Sequence, residues 1–322
     1  MIALTGATGF IGSFLAQRLG DAGWKIKALA RPASTRNRLA GSDIQWIEGH
    51  LDNLDSLRHL VRNVDSIVHC AGVVRGASEK QFNQVNVEGV ARLVHAASEQ
   101  HPLPRFLLIS SLAAREPHLS PYASSKRQGE ETLAAASAQM IWAAFRPSAV
   151  YGPGDREVLP LLRWIGRGIA PILASKDARF SLLYVEDLFE AVKLWLARRD
   201  RQPGIFELHD GHANGYSYNE VIDIAARLYA RKAWRLNVPC VLLQILATLN
   251  QSAARALGYK PMLTPGKVRE LRHPDWVCDN TALSREIGWQ PRVSLAQGLR
   301  RALFDAGVHR NSNRNNNDRE RV

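Results

Sequence analysis

The chain has few of the residues that build disulfide frameworks or sulfur-ligated metal sites. Its 322 residues include three cysteines, Cys70, Cys240 and Cys278, far apart and without a Cys-x-x-Cys pair. That excludes a disulfide-stapled scaffold and suits a reducing compartment. Long apolar runs are lacking too. The longest, 238–249, contains Pro239 and Gln244 and falls short of the roughly 20 residues that span a bilayer. No basic leader or cleavage site precedes the first apolar residues, so a cytoplasmic protein without a membrane span is expected. No repeat of fixed period is present.

What is present is ordinary globular composition, 46% apolar and 22% charged. Lys and Arg number 42 against 30 Asp and Glu, a net charge of +12 that favours phosphates, carrier proteins or anionic surfaces without selecting among them. Residues 310–322 are Arg, Asn, Ser and acids with one terminal apolar side chain, which reads as a disordered tail. No recognition motif or aromatic and basic interleaving accompanies this tail, so no nucleic-acid partner is expected.

Apolar runs at 2–5, 25–30, 44–47, 66–71, 105–109 and 141–145 alternate with segments of helical character such as 85–97. Parallel strands need crossover connections, so this alternation predicts an α/β fold with a doubly wound parallel sheet of Rossmann type. The predicted dinucleotide-binding domain covers 1–151, with returns to the sheet near 180–210, including a short strand at 206–208. Residues 152–309 predict a smaller, helix-rich, partly discontinuous substrate-binding part, with helical runs at 158–169, 188–199, 219–231 and 238–257. Ser217 and Glu220 stand at capping-box spacing. Trp234-Arg235 and the apolar run after them read as lid and core of this part rather than as a membrane-surface element. His209-Asp210-Gly211-His212 reads as a turn after a strand rather than a metal site.

The first strand runs into Gly6-Ala7-Thr8-Gly9-Phe10-Ile11-Gly12 and then into a helix. A phosphate reaches backbone N–H groups at a helix N-terminus only where Cβ atoms are missing. Gly6, Gly9 and Gly12 supply those positions in a Gly-x-x-Gly-x-x-Gly variant of the dinucleotide fingerprint. An acid at the end of the second strand would hold the ribose 2′-hydroxyl of NAD; here Arg31 stands there, with Arg36 and Arg38 close behind. A guanidinium suits a 2′-phosphate, which favours NADP over NAD, although Arg31 as a solvated or adenine-stacking residue remains the alternative.

Ser120-Pro121 makes a helix start, and Tyr122 and Lys126 follow one turn apart on one face. A phenol with an ordinary pKa near 10 exchanges a proton at neutrality only with a positive neighbour, which Lys126 provides. Upstream, the strand 106–109 ends in Ser110-Ser111, at the edge where open α/β sheets place ligands. A hydroxyl there polarises a substrate carbonyl.

These residues resemble the extended short-chain dehydrogenase/reductase family, which includes NAD-dependent epimerase/dehydratases and the 3β-hydroxysteroid dehydrogenase-like and dihydroflavonol reductase-like enzymes. Matching segments are Thr5-Gly6-Ala7-Thr8-Gly9-Phe10-Ile11-Gly12, His69-Cys70-Ala71-Gly72, Asn86-Val87-Glu88-Gly89, Tyr122-Ala123-Ser124-Ser125-Lys126, Arg146-Pro147-Ser148 on to Gly154-Asp155, Tyr184-Val185-Glu186-Asp187-Leu188 and Gly288-Trp289-Gln290-Pro291. The resemblance implies Tyr122 as catalytic acid/base, Lys126 on the nicotinamide ribose, and Ser111 orienting the reacting oxygen with Ser110 as fallback. It implies cofactor contacts from Gly6, Thr8, Gly9, Phe10, Ile11, Gly12, Ala71, Gly72, Pro147 and Ser148, with Asn86 beside the site, and a homodimer.

Three departures qualify it. Gly49-His50-Leu51 replaces the common Gly-Asp-Leu with its Asp on the adenine, so at this cofactor-contact position with Leu51, His50 either substitutes for the Asp or is silent. Ser111 and Tyr122 are only 11 positions apart, with Leu112-Ala113-Ala114-Arg115 between them in place of Val-Tyr-Gly. Arg179-Phe180-Ser181 does not match the nucleotide-binding Arg-Asp-Phe, which weakens a sugar nucleotide as substrate. The expected function is an NAD(P)-dependent oxidoreductase moving a hydride to or from a carbonyl or secondary alcohol of a small organic substrate. The alternatives are an NAD-dependent nucleotide-sugar epimerase/dehydratase and a non-catalytic NAD(P)-binding sensor.

Overall fold

The computed structural model describes residues 1–34, 39, 43–136, 139–198 and 202–302. Arg36, Arg38 and the tail 310–322 lie outside the described residues. Seven strands form the main sheet: β1 (Ile2–Thr5), β2 (Ile26–Ala30), β3 (Ile44–Glu48), β4 (Ser66–His69), β5 (Arg105–Ile109), β6 (Trp142–Pro147) and β7 (Gly204–Leu208). Their order is β7-β6-β5-β4-β1-β2-β3, and every pairing is parallel. This is the doubly wound α/β sheet that the alternation predicts. Strands β1, β4 and β5 are buried at every residue, as strands covered on both faces must be. Alternate side chains serve two cores. Ile2, Leu4, Val68 and Leu107 enter one, and Ala3, Ile67, Phe106 and Leu108 enter the other.

The helices are α1 (Phe10–Asp21), α2 (Leu54–Val61), α3 (Glu79–Asn86), α4 (Glu88–Ser98), α5 (Pro121–Ala136), α6 (Val158–Gly166), α7 (Val185–Ala197), α8 (Tyr218–Leu228), α9 (Cys240–Leu257), α10 (Pro265–Arg272), α11 (Thr281–Ile287) and α12 (Leu295–Arg300). The segment expected as one helix over 85–97 is two, because the backbone breaks at Val87. That break lets α3 deliver Asn86 to the sheet edge while α4 buries Val90, Leu93 and Val94. The run expected as helical over 158–169 stops at Gly166. Gly168, at φ +89°, turns the chain into a strand from Ile169.

Beyond β6, short parallel pairs join Ala149–Tyr151 to Leu182–Tyr184, Ile169–Ile172 to Trp234–Asn237, and Arg179–Phe180 to Asp275–Trp276. A third core gathers Tyr151, Leu162, Ile222 and Leu299. The capping box starts α8 as its spacing predicts: the Ser217 side chain accepts the Glu220 N–H, and the Glu220 carboxylate accepts the Ser217 N–H.

The lid-and-core reading of the run 238–257 describes one side of it, where Leu243 and Ala247 pack with Val268. Only Leu243, Ala247 and Ala254 of α9 are buried, while Val241, Leu242, Ile245, Leu246 and Leu249 are exposed, as is Trp234. One helical stripe fits beneath the rest of the protein, and the apolar residues occupy more of the helix than that stripe.

Candidate functional site

Because the seven strands run one way, their carboxyl ends share one edge, and the predicted residues lie along it or in the first turns of α1 and α5. β1 turns through Gly6 at φ +73°, where a Cβ would sit 2.6 Å from the Ala71 nitrogen. A Cβ on Gly12 would fall 2.1 Å from the Gly6 carbonyl oxygen. Those two glycines bring α1 against the turn. Gly9 differs: a Cβ there would meet only the Gly6 oxygen, at 3.3 Å. Gly9 caps α1 without a side-chain hydrogen bond, and no acid stands in the first turn. Thr8 and Gly9 are exposed, and Phe10 and Ile11 are half-buried. The N–H groups of that turn and the positive end of the helix dipole form a cradle for an anion.

Arg31 is exposed at the end of β2. Past β3, His50 is exposed, its carbonyl accepting the Asn53 N–H and the Ser56 hydroxyl, while Leu51 packs beneath Gly89. Past β4, the Ala71 N–H donates to Thr5 Oγ1 at 3.2 Å, and Gly72 borders Asn86 and Lys126. β6 ends at buried Pro147, and the hydroxyl of the buried Ser148 that follows has no partner among the described residues. An open anion cradle after β1 and an orphaned buried hydroxyl after β6 on the same edge fit a dinucleotide.

α5 begins under Ser120, whose Oγ accepts the Ala123 N–H at 3.0 Å. Tyr122 and Lys126 follow on one face. Lys126 is buried, and its Nζ donates to the Ile109 carbonyl at 2.8 Å. Burial pulls its pKa down to about 8, with Glu130 and Cys70 opposing. Burial holds the Tyr122 phenol above its ordinary value, opposed by a hydrogen bond with the Ser111 side chain. Ser111 Oγ also accepts the Ala113 N–H at 3.2 Å. Ser110 is committed elsewhere: its hydroxyl donates to Glu130, which pairs with Arg146 at 2.5 Å in the interior. Asn86 ties the loop after β4 to α5, bonding both backbone groups of Val73 and donating to Ser125 Oγ at 2.9 Å. Burial lowers His69 to about 3, so it stays neutral against Thr5.

The residues 209–212 form a turn through Gly211 at φ +82°, with Asp210 accepting the Tyr216 hydroxyl at 2.6 Å and the His212 N–H at 3.2 Å.

Sequence reading missed Lys267 and Glu270 of α10. Lys267 Nζ donates to Glu270 at 2.8 Å, Glu270 accepts the Ser120 hydroxyl, and the two charges act on the Tyr122 phenol in opposite directions. With Tyr122 they line a cavity of about 240 Å³ that also contacts Val74, Phe82 and Met262. The Thr264 cap and Pro265 signal a helix start, but no local pattern places that helix on the tyrosine.

The pattern of the NAD dependent epimerase/dehydratase family matches residues 2–208. The chain belongs to that family. A ceramide reductase of Caulobacter vibrioides is 32% identical over 288 residues, covering 89% of each chain. A 2-alkyl-3-oxoalkanoate reductase of Stenotrophomonas maltophilia is 27% identical, covering 93% of this chain and 97% of its own. Among solved structures, MoeE5 in complex with UDP-glucuronic acid and NAD superposes with a TM-score of 0.74. It is 23% identical over 96% of this chain and 99% of that one, a likeness of fold alone.

Two separated segments meet in this epimerase/dehydratase-family chain. The Asp187 carboxylate accepts the N–H groups of Arg292 and Val293, each at 3.0 Å, and its carbonyl accepts the Trp289 indole N–H at 3.0 Å. Arg179, which opens the Arg179-Phe180-Ser181 segment that departs from the nucleotide-binding Arg-Asp-Phe, donates to Glu220 and to the Gly215 carbonyl. No helix among the described residues is long and apolar enough to cross a membrane.

Proposed function

We propose that the chain is a reductase that prefers NADPH and converts a ketone on a long-chain, amphiphilic substrate to a secondary alcohol, with Tyr122 as proton donor. The cavity beside Tyr122 carries this reading. Its lining divides between apolar Val74, Phe82, Pro261 and Met262 and polar Ser120, Lys267 and Glu270, a division that suits a hydrocarbon chain with a polar head. Similarity to a ceramide reductase and to a 2-alkyl-3-oxoalkanoate reductase supports a carbonyl on an acyl-chain molecule. The engagement of Arg179 with Glu220 supports a substrate other than a sugar nucleotide.

In this reading Gly6, Thr8, Gly9, Phe10, Ile11 and Gly12 hold the cofactor diphosphate, and Arg31 faces the 2′-phosphate. His50 and Leu51 border the adenine, and Ala71, Gly72, Pro147 and Ser148 border the nicotinamide end. The bound cofactor supplies the hydride. Ser111, whose Oγ accepts the Ala113 N–H and whose side chain bonds the Tyr122 phenol, turns its hydroxyl proton to the carbonyl oxygen when the substrate is in place. Tyr122 gives its phenolic proton to the same oxygen as negative charge develops there, and the Lys126 ammonium stabilises the resulting phenolate.

The test is Tyr122→Phe assayed on a long-chain 3-oxo amide, beside calorimetric titration with NADPH and NADH. Reduction is expected to fall about 10²–10⁴-fold with NADPH affinity unchanged. Undiminished turnover overturns the role of Tyr122, and tighter binding of NADH overturns the role of Arg31. Retained NAD and turnover without net cofactor change favour an epimerase.

A further inference from the structure

Outside the site, the largest unexplained feature is the apolar face around α9. Trp234 is 81% exposed, Val241 67% and Leu249 63%, with Leu236, Leu242, Ile245 and Leu246 exposed between them. Every residue of Trp234–Asn237 is exposed, and Trp234 pairs in register with exposed Ile169. Contiguous apolar surface of this kind marks an interaction site. Its charge selects the partner: residues 231–260 carry Arg231, Lys232, Arg235, Arg255 and Lys260, all exposed, and no Asp or Glu, although Arg255 turns inward to donate to the Ala77 carbonyl. Arg235 pairs with Asp223 at 2.5 Å, a residue outside that stretch.

We propose that this face docks on an anionic phospholipid bilayer, with α9 lying in the plane of the interface. An apolar helix face flanked by cations and an exposed tryptophan has the chemistry of an interfacial element. A second copy of the chain would set Arg231, Lys232 and Lys260 against their own copies, whereas anionic head groups complement them. The inner side of α9 faces the site. Gln251 Nε2 donates to the Ala77 carbonyl at 3.1 Å, and Gln251 lines the cavity that holds Tyr122. Docking therefore sets the cavity beside the lipid phase, although the docking itself does not depend on which substrate the enzyme reduces.

The test is co-sedimentation of the full chain with vesicles of phosphatidylcholine, alone or mixed with phosphatidylglycerol. The protein pellets with the mixed vesicles, hardly at all with phosphatidylcholine alone, and progressively less as salt is raised. The double variant Ile245→Gln, Leu249→Gln binds about tenfold more weakly, since it removes apolar area from the interfacial face. Its melting temperature and NADPH affinity stay those of the parent, which separates lost docking from lost fold. Failure to pellet with anionic vesicles overturns the proposal, as does pelleting that the double variant leaves unchanged. Self-association that the same substitutions abolish, without vesicle binding, assigns the face to a second copy and also overturns it. Because pelleting requires no turnover, its failure is distinct from an error about the substrate.

Discussion

The sheet edge at β1 and the region after β6 hold their functional groups by different means. At the edge the determinant is backbone against backbone: a Cβ on Gly6 or Gly12 would strike main-chain atoms of Ala71 or of Gly6 itself. Beyond β6 the strand pairs outside the main sheet are two to four residues long, and side chains bind distant segments together, as Asp187 does for Arg292 and Val293. The first arrangement tolerates little change at a few points. The second spreads its constraints over side-chain bonds of long range and leaves the outer face of α9 uncovered.

The sharpest test of that contrast is Glu130, which holds Arg146 and Ser110 behind the sheet edge. Glu130→Leu leaves the Arg146 guanidinium charged and unpaired in the interior, and urea unfolding is expected to show a loss of about 3–5 kcal/mol. A smaller effect separates two glycines of one turn. Gly12→Ala is expected to cost about 3 kcal/mol because its Cβ would meet backbone. Gly9→Ala costs under about 1 kcal/mol but abolishes dinucleotide binding, since its Cβ enters the anion cradle. Equal destabilisation by the two would break the distinction between packing glycine and ligand glycine.

In the second region, Asp187→Asn leaves one of two N–H groups, of which that of Val293 is buried, without its acceptor and is expected to cost about 1–3 kcal/mol. A loss as large as that of Glu130→Leu would mean that the long-range bonds there are not individually weaker. The smallest effect is the pH dependence. Lys126, drawn down to about 8 by burial, loses its ammonium as pH rises through that value, while the Tyr122 phenol, held up by burial, keeps its proton. Single-turnover ketone reduction is therefore expected to be level at neutral pH and to decline above about 8, and a level profile well beyond that pH would detach Lys126 from the proton transfer.

The parts legible in the sequence are those with local cause. Runs such as Ile2–Thr5 and Arg105–Ile109 announce buried parallel strands, and the glycine turn and the Ser120 cap each sit within a few residues of what they start. Other features have causes that lie far apart along the chain. Glu130 and Arg146 look like surface charges until a helix and a strand bring them together. Glu270 reaches Ser120 across 150 positions. Hydrophobicity misleads in one place, because the run 238–257 carries core composition while only one stripe of α9 meets the protein. Composition records what could be buried, and topology decides what is.

Trp289 has a consequence for how the chain is made. It is fully buried in the same core as Leu4, Leu107 and Phe145, although those residues precede it by well over a hundred positions. A nascent chain emerging from the ribosome therefore carries a nearly complete nucleotide-binding sheet with a gap the size of an indole. The gap closes only when residue 289 is released, so this core stays incomplete until well over a hundred residues beyond Phe145 have been made.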